Sequence, residues 1–225
     1  DLLGLCKLKV VSLIMLTAVV GMLLAVPYLP NLLLIIVASA GIALVTILLY
    51  ILVYTPLKPL TTFNTIVGAV VGALPPLIGW VAASGGISEG GWILAGILFI
   101  WQIPHFLALA WMYREDYERG GFKMLPAIDS TGELTARVSV MTSLCLIPLA
   151  LFMTVTGSTG VLFAIAGSIL GAFMTMKSIV FWKKRDDASA RRLFFASIIY
   201  LPLIIVFMLL DRETIQWIEV GLNNV

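Results

Sequence analysis

Seven long stretches of almost continuously apolar residues divide this sequence. Each has about 18–24 residues, enough for an α-helix rising 1.5 Å per residue to cross a hydrocarbon core of about 30 Å. Because apolar and polar side chains do not alternate along them, helices are favoured over the strands of a membrane barrel. The sequence therefore predicts an all-α, polytopic transmembrane helix bundle that forms a single domain over residues 1–225. The predicted spans are Val10–Leu29, Asn31–Tyr54, Ile66–Ala83, Trp92–Met112, Val138–Thr156, Val161–Trp182 and Leu193–Leu210.

The composition excludes a water-soluble fold. Hydrophobic residues make up 61% of the chain and charged residues only 12%, which leaves too few charges to cover a soluble surface. The formal net charge of +2 is too small to indicate nucleic-acid binding. The two cysteines, Cys6 and Cys145, lie far apart and form neither a disulfide framework nor a metal motif.

The basic residues are divided unequally between the two sides of the predicted bundle. With a cytoplasmic N-terminus, all Lys and Arg residues except Arg212 fall on the cytoplasmic side. Basic residues resist translocation, so this asymmetry predicts that orientation. Lys7 and Lys9 before the first span resemble the start of a signal peptide. The length of that span and the lack of a small-residue cleavage site favour a retained anchor.

His105, the only histidine of the chain, lies inside the fourth apolar span. A polar side chain in the bilayer is costly unless it faces a partner or a cavity, so it is a candidate functional residue. A structural histidine bonded to a neighbouring helix is the plainer alternative. If the helix continued beyond the span, His105 and Asp116 would share one face, about 16 Å apart along the axis. That stripe suits an amphiphilic ligand with an anionic head.

The loop after the fourth span mixes acidic and basic residues densely. One explanation is a solvated loop on the positive side of the membrane. The other is a diphosphate site, in which carboxylates hold Mg²⁺ while Arg and Lys neutralise the remaining charge. Lys58 and Asn64 lie on the same side of the membrane and could join such a site. The loop residues concerned are Arg114, Glu115, Asp116, Glu118, Arg119 and Lys123.

Several motifs in one order make the sequence similar to a known family. They are Tyr54-Thr-Pro-Leu-Lys58, the segment from Asn64 to Trp80, Trp101-Gln-Ile-Pro-His105-Phe, Tyr113-Arg-Glu-Asp-Tyr117, Met124-Leu-Pro126 and, more loosely, Arg191-Arg-Leu-Phe-Phe-Ala-Ser197. Together they resemble the protohaem IX farnesyltransferases (haem O synthases), within the UbiA-type intramembrane prenyltransferases. The resemblance is strong from about Tyr50 to Pro126 and loose elsewhere.

The resemblance implies an enzyme that joins the farnesyl group of farnesyl diphosphate to a vinyl group of haem B, giving haem O and diphosphate. Mg²⁺ would be its cofactor and haem B a substrate. Asp116 and Glu115 would bind the metal, with Asp116 and His105 as catalytic residues and His105 on the porphyrin side. Substrate would be bound by Lys58, Asn64, Tyr113, Arg114 and Lys123. Haem A synthase or oxidase assembly proteins would be possible partners, and terminal oxidases would use the product.

One departure from the family pattern is large. The family has a first acidic motif, an Asn followed by two Asp at four-residue spacing, and this sequence has no such motif. The residues from Asn31 to Val45 resemble the start of the family's second helix, and those from Thr46 to Tyr54 resemble the end of its fourth. About two helices are therefore absent at Val45–Thr46, which turns a nine-helix bundle into seven spans. Either the protein carries an internal deletion or two flanking pieces of a longer chain are joined, and we favour the second. Either way, we expect the chain as written to be nearly inactive.

Two alternatives follow from the same residues. Another UbiA-type prenyltransferase would act on a quinone or phenolic acceptor, but the Trp-Gln-Ile-Pro-His and Met-Leu-Pro motifs argue against it. A helical channel, transporter or assembly protein without catalysis would carry charges inside several spans, whereas His105 is almost alone here. A multi-pass protein of the bacterial plasma membrane is favoured over the mitochondrial inner membrane, because no transit peptide is visible.

Overall fold

The computed structural model describes residues 8–26, 30–57 and 59–212, with side chains from residue 15 onward. Every regular element in these ranges is helical. The long helices are α1 (Leu8–Ala25), α2 (Leu32–Leu57), α3 (Asn64–Ser84), α4 (Glu89–Met112), α7 (Glu133–Val155), α8 (Val161–Lys184) and α9 (Asp187–Asp211), and two short helices, α5 (Arg114–Arg119) and α6 (Leu125–Ile128), follow α4.

The predicted all-α membrane bundle is confirmed. Six of the helices, α2, α3, α4, α7, α8 and α9, are long and apolar enough to cross a membrane. The first predicted span corresponds to α1, of which the fully described part is the shorter apolar segment Met15–Ala25, so the seventh span stays a prediction. Helices α3, α4, α7 and α9 begin two to six residues before the predicted spans, because their first turns include polar residues such as Glu133 and Asp187.

Helix α4 is the centre of the bundle. It is the most buried of the six spanning helices and packs against α3 on one side and against α7 and α9 on the other. Helices α1 and α2 complete the first side by packing on α3, and α8 joins α7 to α9 on the second. A polar side chain in the middle of α4, such as that of Gln102, is therefore buried in protein.

Glycines allow the closest helix approaches. A side chain at Gly21 of α1 would overlap the backbone of Pro76 on α3, and one at Gly79 of α3 would overlap the backbone of Ala18. On α8, a Cβ at Gly167 would lie 2.6 Å from the Cβ of Ala150 on α7. Small residues at such crossings let helix backbones pack together where apolar lipid provides no hydrophobic driving force.

Ion pairs and capping bonds mark the two ends of the bundle. At the basic end, Arg114 after α4 pairs with Asp187 at the start of α9 at 2.6 Å, and Arg185 after α8 pairs with Glu133. At the opposite end, the Asp211 carboxylate accepts a 2.7 Å hydrogen bond from the backbone N–H of Phe163. The loops predicted to share one membrane side therefore do meet at one end.

Helix α2 runs without interruption through the predicted join at Val45–Thr46. It is α-helical over Leu32–Leu49, makes a π-helical turn at Tyr50–Tyr54 and ends with an α-helical turn at Thr55–Leu57. It is also the least buried of the six spanning helices. A π-helical turn inserts one extra residue into a helix and often occurs at functional sites.

Candidate functional site: an apolar cavity and a polar cleft

A cavity of about 200 Å³ lies between the two sides of the bundle. Its walls are mainly apolar, and five helices contribute to them. Because His105 precedes the end of α4 at Met112 by seven residues, this part of the cavity lies about 10 Å inside the basic end. The lining residues are Thr17, Thr46, Tyr50, Gly68, Val71, Gly72, Leu98, Trp101, Gln102, His105, Phe106 and Leu201.

Ring stacking and a hydrogen bond hold the His105 imidazole at the cavity wall. Its ring stacks on Trp101, with centroids 5.3 Å apart, and on Phe194 of α9, with centroids 4.8 Å apart. Its Nδ1 lies 2.7 Å from Ser197 Oγ, and Trp101 Nε1 donates to the backbone oxygen of Ser197 at 2.9 Å. The predicted functional histidine thus faces a cavity and is also bonded to a neighbouring helix, so the two hypotheses for it are compatible.

Two glycines of α3 make room for side chains from other helices. A Cβ at Gly68 would lie 2.7 Å from the ring of Tyr54, and a Cβ at Gly72 would overlap the amide of Gln102. Gln102 is buried, and its amide donates to the carbonyl oxygen of Leu98 at 2.9 Å. This GxxxG pair therefore shapes the cavity wall rather than a contact between two helix backbones.

Helix α4 does not continue into the charged loop. It ends at Met112, and Tyr113 has φ −113° and ψ 20°, outside the helical range, before α5 begins at Arg114. The single stripe joining His105 to Asp116 required a continuous helix, so that geometric expectation is wrong. The imidazole and the carboxylate belong to separate helices, each with its own site.

The charged loop forms a polar cleft of about 160 Å³ at the basic end of the bundle. Arg114 reaches Asp187 at 2.6 Å, donates to the carbonyl oxygen of Trp111 at 2.8 Å and lies over the Trp111 ring. Asp116 pairs with Arg119 at 2.6 Å, with both side chains mostly exposed. The structure thus brings together four predicted site residues with three others. The lining residues are Met112, Tyr113, Arg114, Glu115, Asp116, Arg119 and Asp187.

A tyrosine lines each of the two sites. Tyr50 lines the cavity and Tyr113 lines the cleft. Burial, together with the neighbouring Tyr50 and Tyr113 hydroxyls, raises the pKa of Tyr117. The rings of Tyr50 and Tyr54 lie 5.0 Å apart in the π-helical turn. Tyr117 is therefore close to one tyrosine from each site.

The chain matches the model of the UbiA prenyltransferase family over residues 5–199.

The chain belongs to the UbiA prenyltransferase family.

Curated relatives narrow the comparison within the family. The chain is 43% identical over 174 residues to protoheme IX farnesyltransferase of Solibacter usitatus (strain Ellin6076), covering 77% of this chain and 60% of the relative. It is 43% identical over 174 residues to the mitochondrial protoheme IX farnesyltransferase of Arabidopsis thaliana, covering 77% of this chain and 40% of that one. The Homo sapiens mitochondrial enzyme is 42% identical over 171 residues, with 76% and 38% covered.

A solved structure shows the same fold. It comes from work on digeranylgeranylglyceryl phosphate synthase in membranes and matches with a TM-score of 0.65 at 15% identity, covering 82% of this chain and 63% of that one. The six apolar helices and family membership make the protein an integral, multi-pass membrane protein. The chain spans at most about 60% of the length of these three curated relatives.

The cleft contains some of the side chains that a metal–diphosphate site of a UbiA-type prenyltransferase would need. Mg²⁺ is commonly held by one or two carboxylates together with phosphate oxygens, and Glu115, Asp116 and Asp187 line the cleft. Two of these carboxylates are already paired with arginines. Within residues 8–26, 30–57 and 59–212, no three His, Cys, Asp or Glu side chains gather as a metal site. The residues present therefore fit one half of such a site.

Two other predicted substrate-binding residues, Asn64 and Lys123, do not line the cleft. Asn64 is fully buried, and its amide donates to the carbonyl oxygens of Thr61 at 2.8 Å and Lys123 at 3.1 Å. It thereby ties the start of α3 to the loop after α5. The Lys123 residue is exposed outside the cleft lining, and Lys58 lies outside the described residues.

Sequence reasoning missed several residues of the two sites. Gln102 could have been found by the argument applied to His105, because it is a polar residue inside an apolar span. Asp187 and Ser197 gave no comparable signal, since an acidic residue in a loop and a serine in a membrane helix are common. Both lie more than 70 residues from their partners Arg114 and His105, and only the packing of α9 on α4 brings them there.

Proposed function

We propose that this protein transfers the farnesyl group of farnesyl diphosphate to a vinyl group of protohaem IX (haem B), giving haem O and diphosphate. The observation that carries the proposal is the similarity to protoheme IX farnesyltransferases over about three quarters of the chain. An apolar cavity next to a charged cleft also suits a substrate with a prenyl chain and an anionic head. The product would be used in terminal oxidases, either directly as haem O or after conversion to haem A.

The two sites suggest separate tasks for the chain's own residues. Arg114 and Arg119 of the cleft would exchange their carboxylate partners for diphosphate oxygens, since Arg binds both kinds of oxyanion well. The aromatic and aliphatic cavity wall would hold the prenyl chain and keep water from the allylic carbon as positive charge develops there. His105 would lie beside the porphyrin.

Mg²⁺ at this site would stabilise charge on the departing diphosphate. Asp116 and Glu115 are the residues proposed to hold it, and Tyr113, Arg114, Lys123, Asn64 and Lys58 remain the proposed substrate contacts. The first acidic motif of the family would supply the other carboxylates. Its absence from this chain leaves diphosphate charge uncompensated, which is the reason for the low activity expected of the chain as written.

We also propose an orientation, a membrane and protein partners for the bundle. We place the N-terminus and the charged end of the bundle in the cytoplasm, following the distribution of basic residues. A bacterial plasma membrane is the proposed location. Haem A synthase or oxidase assembly proteins are the proposed partners.

The decisive experiment restores the missing segment. The chain as written, and a version with the corresponding segment of the Solibacter usitatus relative inserted between Val45 and Thr46, are expressed in membranes. Haems are then separated by reversed-phase chromatography and identified by mass. We expect a haem carrying a hydroxyethylfarnesyl group only with the restored version, and its loss when the two Asp residues of the inserted motif are changed to Asn.

Two results would contradict the proposal. Prenylation of an added phenolic or quinone acceptor in preference to haem would assign the protein to another branch of the family. No prenyl transfer by a restored version that folds and reaches the membrane, combined with solute flux in vesicles, would favour a non-catalytic transporter.

A further inference from the structure

A chain of hydrogen bonds joins α9 to the His105 imidazole. The hydroxyl of Ser197 donates to the carbonyl oxygen of Phe194 at 2.6 Å, and the same Ser197 Oγ lies 2.7 Å from His105 Nδ1. Both the hydroxyl and the backbone oxygen of Ser197 therefore have partners on α4 or α9, since the backbone oxygen accepts from Trp101 Nε1. Ser197 is fully buried, so water does not compete for these bonds.

The bonding pattern fixes the tautomer of the histidine. A hydroxyl has a single proton, and the proton of Ser197 is directed to a carbonyl oxygen, which cannot donate in return. The Ser197 oxygen must then accept from Nδ1, so the proton of the neutral imidazole is on Nδ1. The hydrogen bond that Nδ1 makes to Ser197 thus decides which ring nitrogen carries the proton.

The other ring nitrogen, Nε2, is left with a free lone pair. His105 makes no hydrogen bond other than the one to Ser197 among the described residues. Its Nε2 is not among the buried polar atoms that are sealed off without a partner, and the ring lines the cavity. Because Trp101 and Phe194 both stack on the imidazole, a ligand in the cavity would approach the edge of the ring.

We propose that Ser197 is a positioning residue that holds His105 as the Nδ1–H tautomer, so that Nε2 ligates the iron of the haem substrate. This inference rests on the proposed function. Of the two proposed substrates, farnesyl diphosphate offers anionic oxygens and a hydrocarbon chain. Haem offers an iron centre that accepts an electron pair, which is what a neutral imidazole donates.

The surroundings of His105 are those of an oriented metal ligand. Ligating histidines usually donate their second N–H to a carboxylate, carbonyl or water that fixes the ring, and loss of that partner commonly weakens metal binding by about 10–100-fold. Ser197 takes this place here, and its own bond to the Phe194 carbonyl polarises the hydroxyl. The outer wall beside the site, formed by Thr46 and Tyr50, belongs to the least buried spanning helix.

The test titrates the 225-residue chain, reconstituted in nanodiscs, with ferric protohaem IX and separately with metal-free protoporphyrin IX. Absorbance reports imidazole ligation through the Soret band. In the unchanged chain we expect an imidazole-ligated ferric spectrum that His105→Ala removes and that added imidazole restores. Ser197→Ala should weaken ferric haem binding by roughly 10–100-fold while leaving the affinity for metal-free protoporphyrin unchanged.

Two further variants separate positioning from packing. Ser197→Thr keeps the hydroxyl and should retain the ligated spectrum. Ser178→Ala is the matched control, because Ser178 is also fully buried and bonded across helices, to Ser143 at 2.8 Å, but lies outside the cavity lining. It should leave both porphyrin affinities unchanged.

The outcomes distinguish this inference from the proposed function. Equal ferric haem affinity and spectrum in the unchanged chain and Ser197→Ala would overturn the inference and leave the haem acceptor standing. Equal weakening of haem and metal-free porphyrin binding would assign Ser197 a packing role and also overturn it. No binding of either porphyrin by the unchanged chain would contradict the proposed acceptor together with the inference.

Discussion

A buried amide inside a membrane helix needs partners within the protein, and Gln102 obtains them because Gly72 has no side chain. Its amide donates to the carbonyl oxygen of Leu98 on its own helix and lies 3.5 Å from that of Ala69 on α3. Any Cβ at Gly72 would occupy the position of this amide. At the residue scale, the cavity wall therefore depends on one glycine.

Gly72→Ala should destabilise the protein by about 1–3 kcal/mol, the usual cost of forcing extra volume into a packed interior. It should also reduce ligand binding in the cavity, because Gln102 must move. Gly41→Ala is the matched control on α2, since a Cβ there meets nothing within 4 Å. That exchange should be neutral or stabilising by up to about 1 kcal/mol. Thermal unfolding in detergent measures both, and equal stability of the two variants would refute the role of Gly72.

Helix ends give the predictions at the scale of elements. The N-terminus of α9 is capped by its own preceding residue, since the Asp186 carboxylate accepts from the backbone N–H of Ser189 at 2.7 Å. The first turn of α8 is capped from a different helix, by the buried Asp211 of α9. The two caps satisfy the same need of a helix for acceptors at its first N–H groups, but they differ in exposure.

Asp211→Ala should cost about 1–3 kcal/mol of unfolding free energy, because it leaves the N–H of Phe163 buried without this acceptor. Asp211→Asn retains an acceptor oxygen and should cost less. Thermal unfolding of the three proteins in the same detergent provides the comparison. An alanine variant as stable as the unchanged protein would show that the contact between α8 and α9 does not depend on this carboxylate.

The cap at Asp186 should show a pH dependence. Hydrogen bonds from the hydroxyl and the backbone N–H of Ser189 hold the pKa of its carboxyl below the ordinary value. A carboxyl whose pKa is lowered by folding stabilises the folded state fully above its ordinary pKa, and this stabilisation is lost as pH falls through the lowered pKa. The difference in melting temperature between the unchanged protein and Asp186→Asn should therefore shrink as pH falls through the acidic range. A difference that stayed constant would exclude this linkage.

Orientation in the membrane is a property of the whole molecule. Loops that alternate along the sequence meet at two ends, and one end carries the ion pairs between Arg114 and Asp187 and between Arg185 and Glu133. A charged layer of this kind has to lie at a membrane–water interface. The excess of basic residues at that end favours the cytoplasmic side.

Single cysteines in a background without Cys6 and Cys145 test this orientation. Ser130→Cys lies at the basic end between α6 and α7, and Ser88→Cys lies in the loop between α3 and α4, with both positions exposed. In intact cells, a membrane-impermeant maleimide should label the residue at position 88 and spare that at position 130. Broken membranes should allow both to react. Labelling of position 130 alone in intact cells would reverse the orientation.

In the proposed function, catalysis also belongs to the scale of the whole molecule, because the family's two acidic motifs come from different parts of a longer chain. A protein confirmed by mass to have this 225-residue sequence should show almost no Mg²⁺-dependent transfer of farnesyl to haem B. Radiolabelled farnesyl diphosphate makes the assay sensitive. Clear turnover would mean that Asp116, Glu115 and their neighbours suffice to activate the diphosphate.

The sequence by itself determined the helices, the two ends of the bundle and the family. Continuous apolar runs can only be satisfied in lipid by helices, and motifs such as Trp101–His105 are local, so no packing information was needed to recognise them. It also singled out His105, because a polar residue in an apolar span is conspicuous.

The tertiary structure alone decided which residues share a site. The non-helical backbone at Tyr113 separated His105 from Asp116, and the packing of α9 on α4 brought Ser197 to the imidazole and Asp187 to Arg114. Such pairs depend on how helices far apart in sequence cross each other. The sequence around either residue of such a pair does not indicate which residue its partner is.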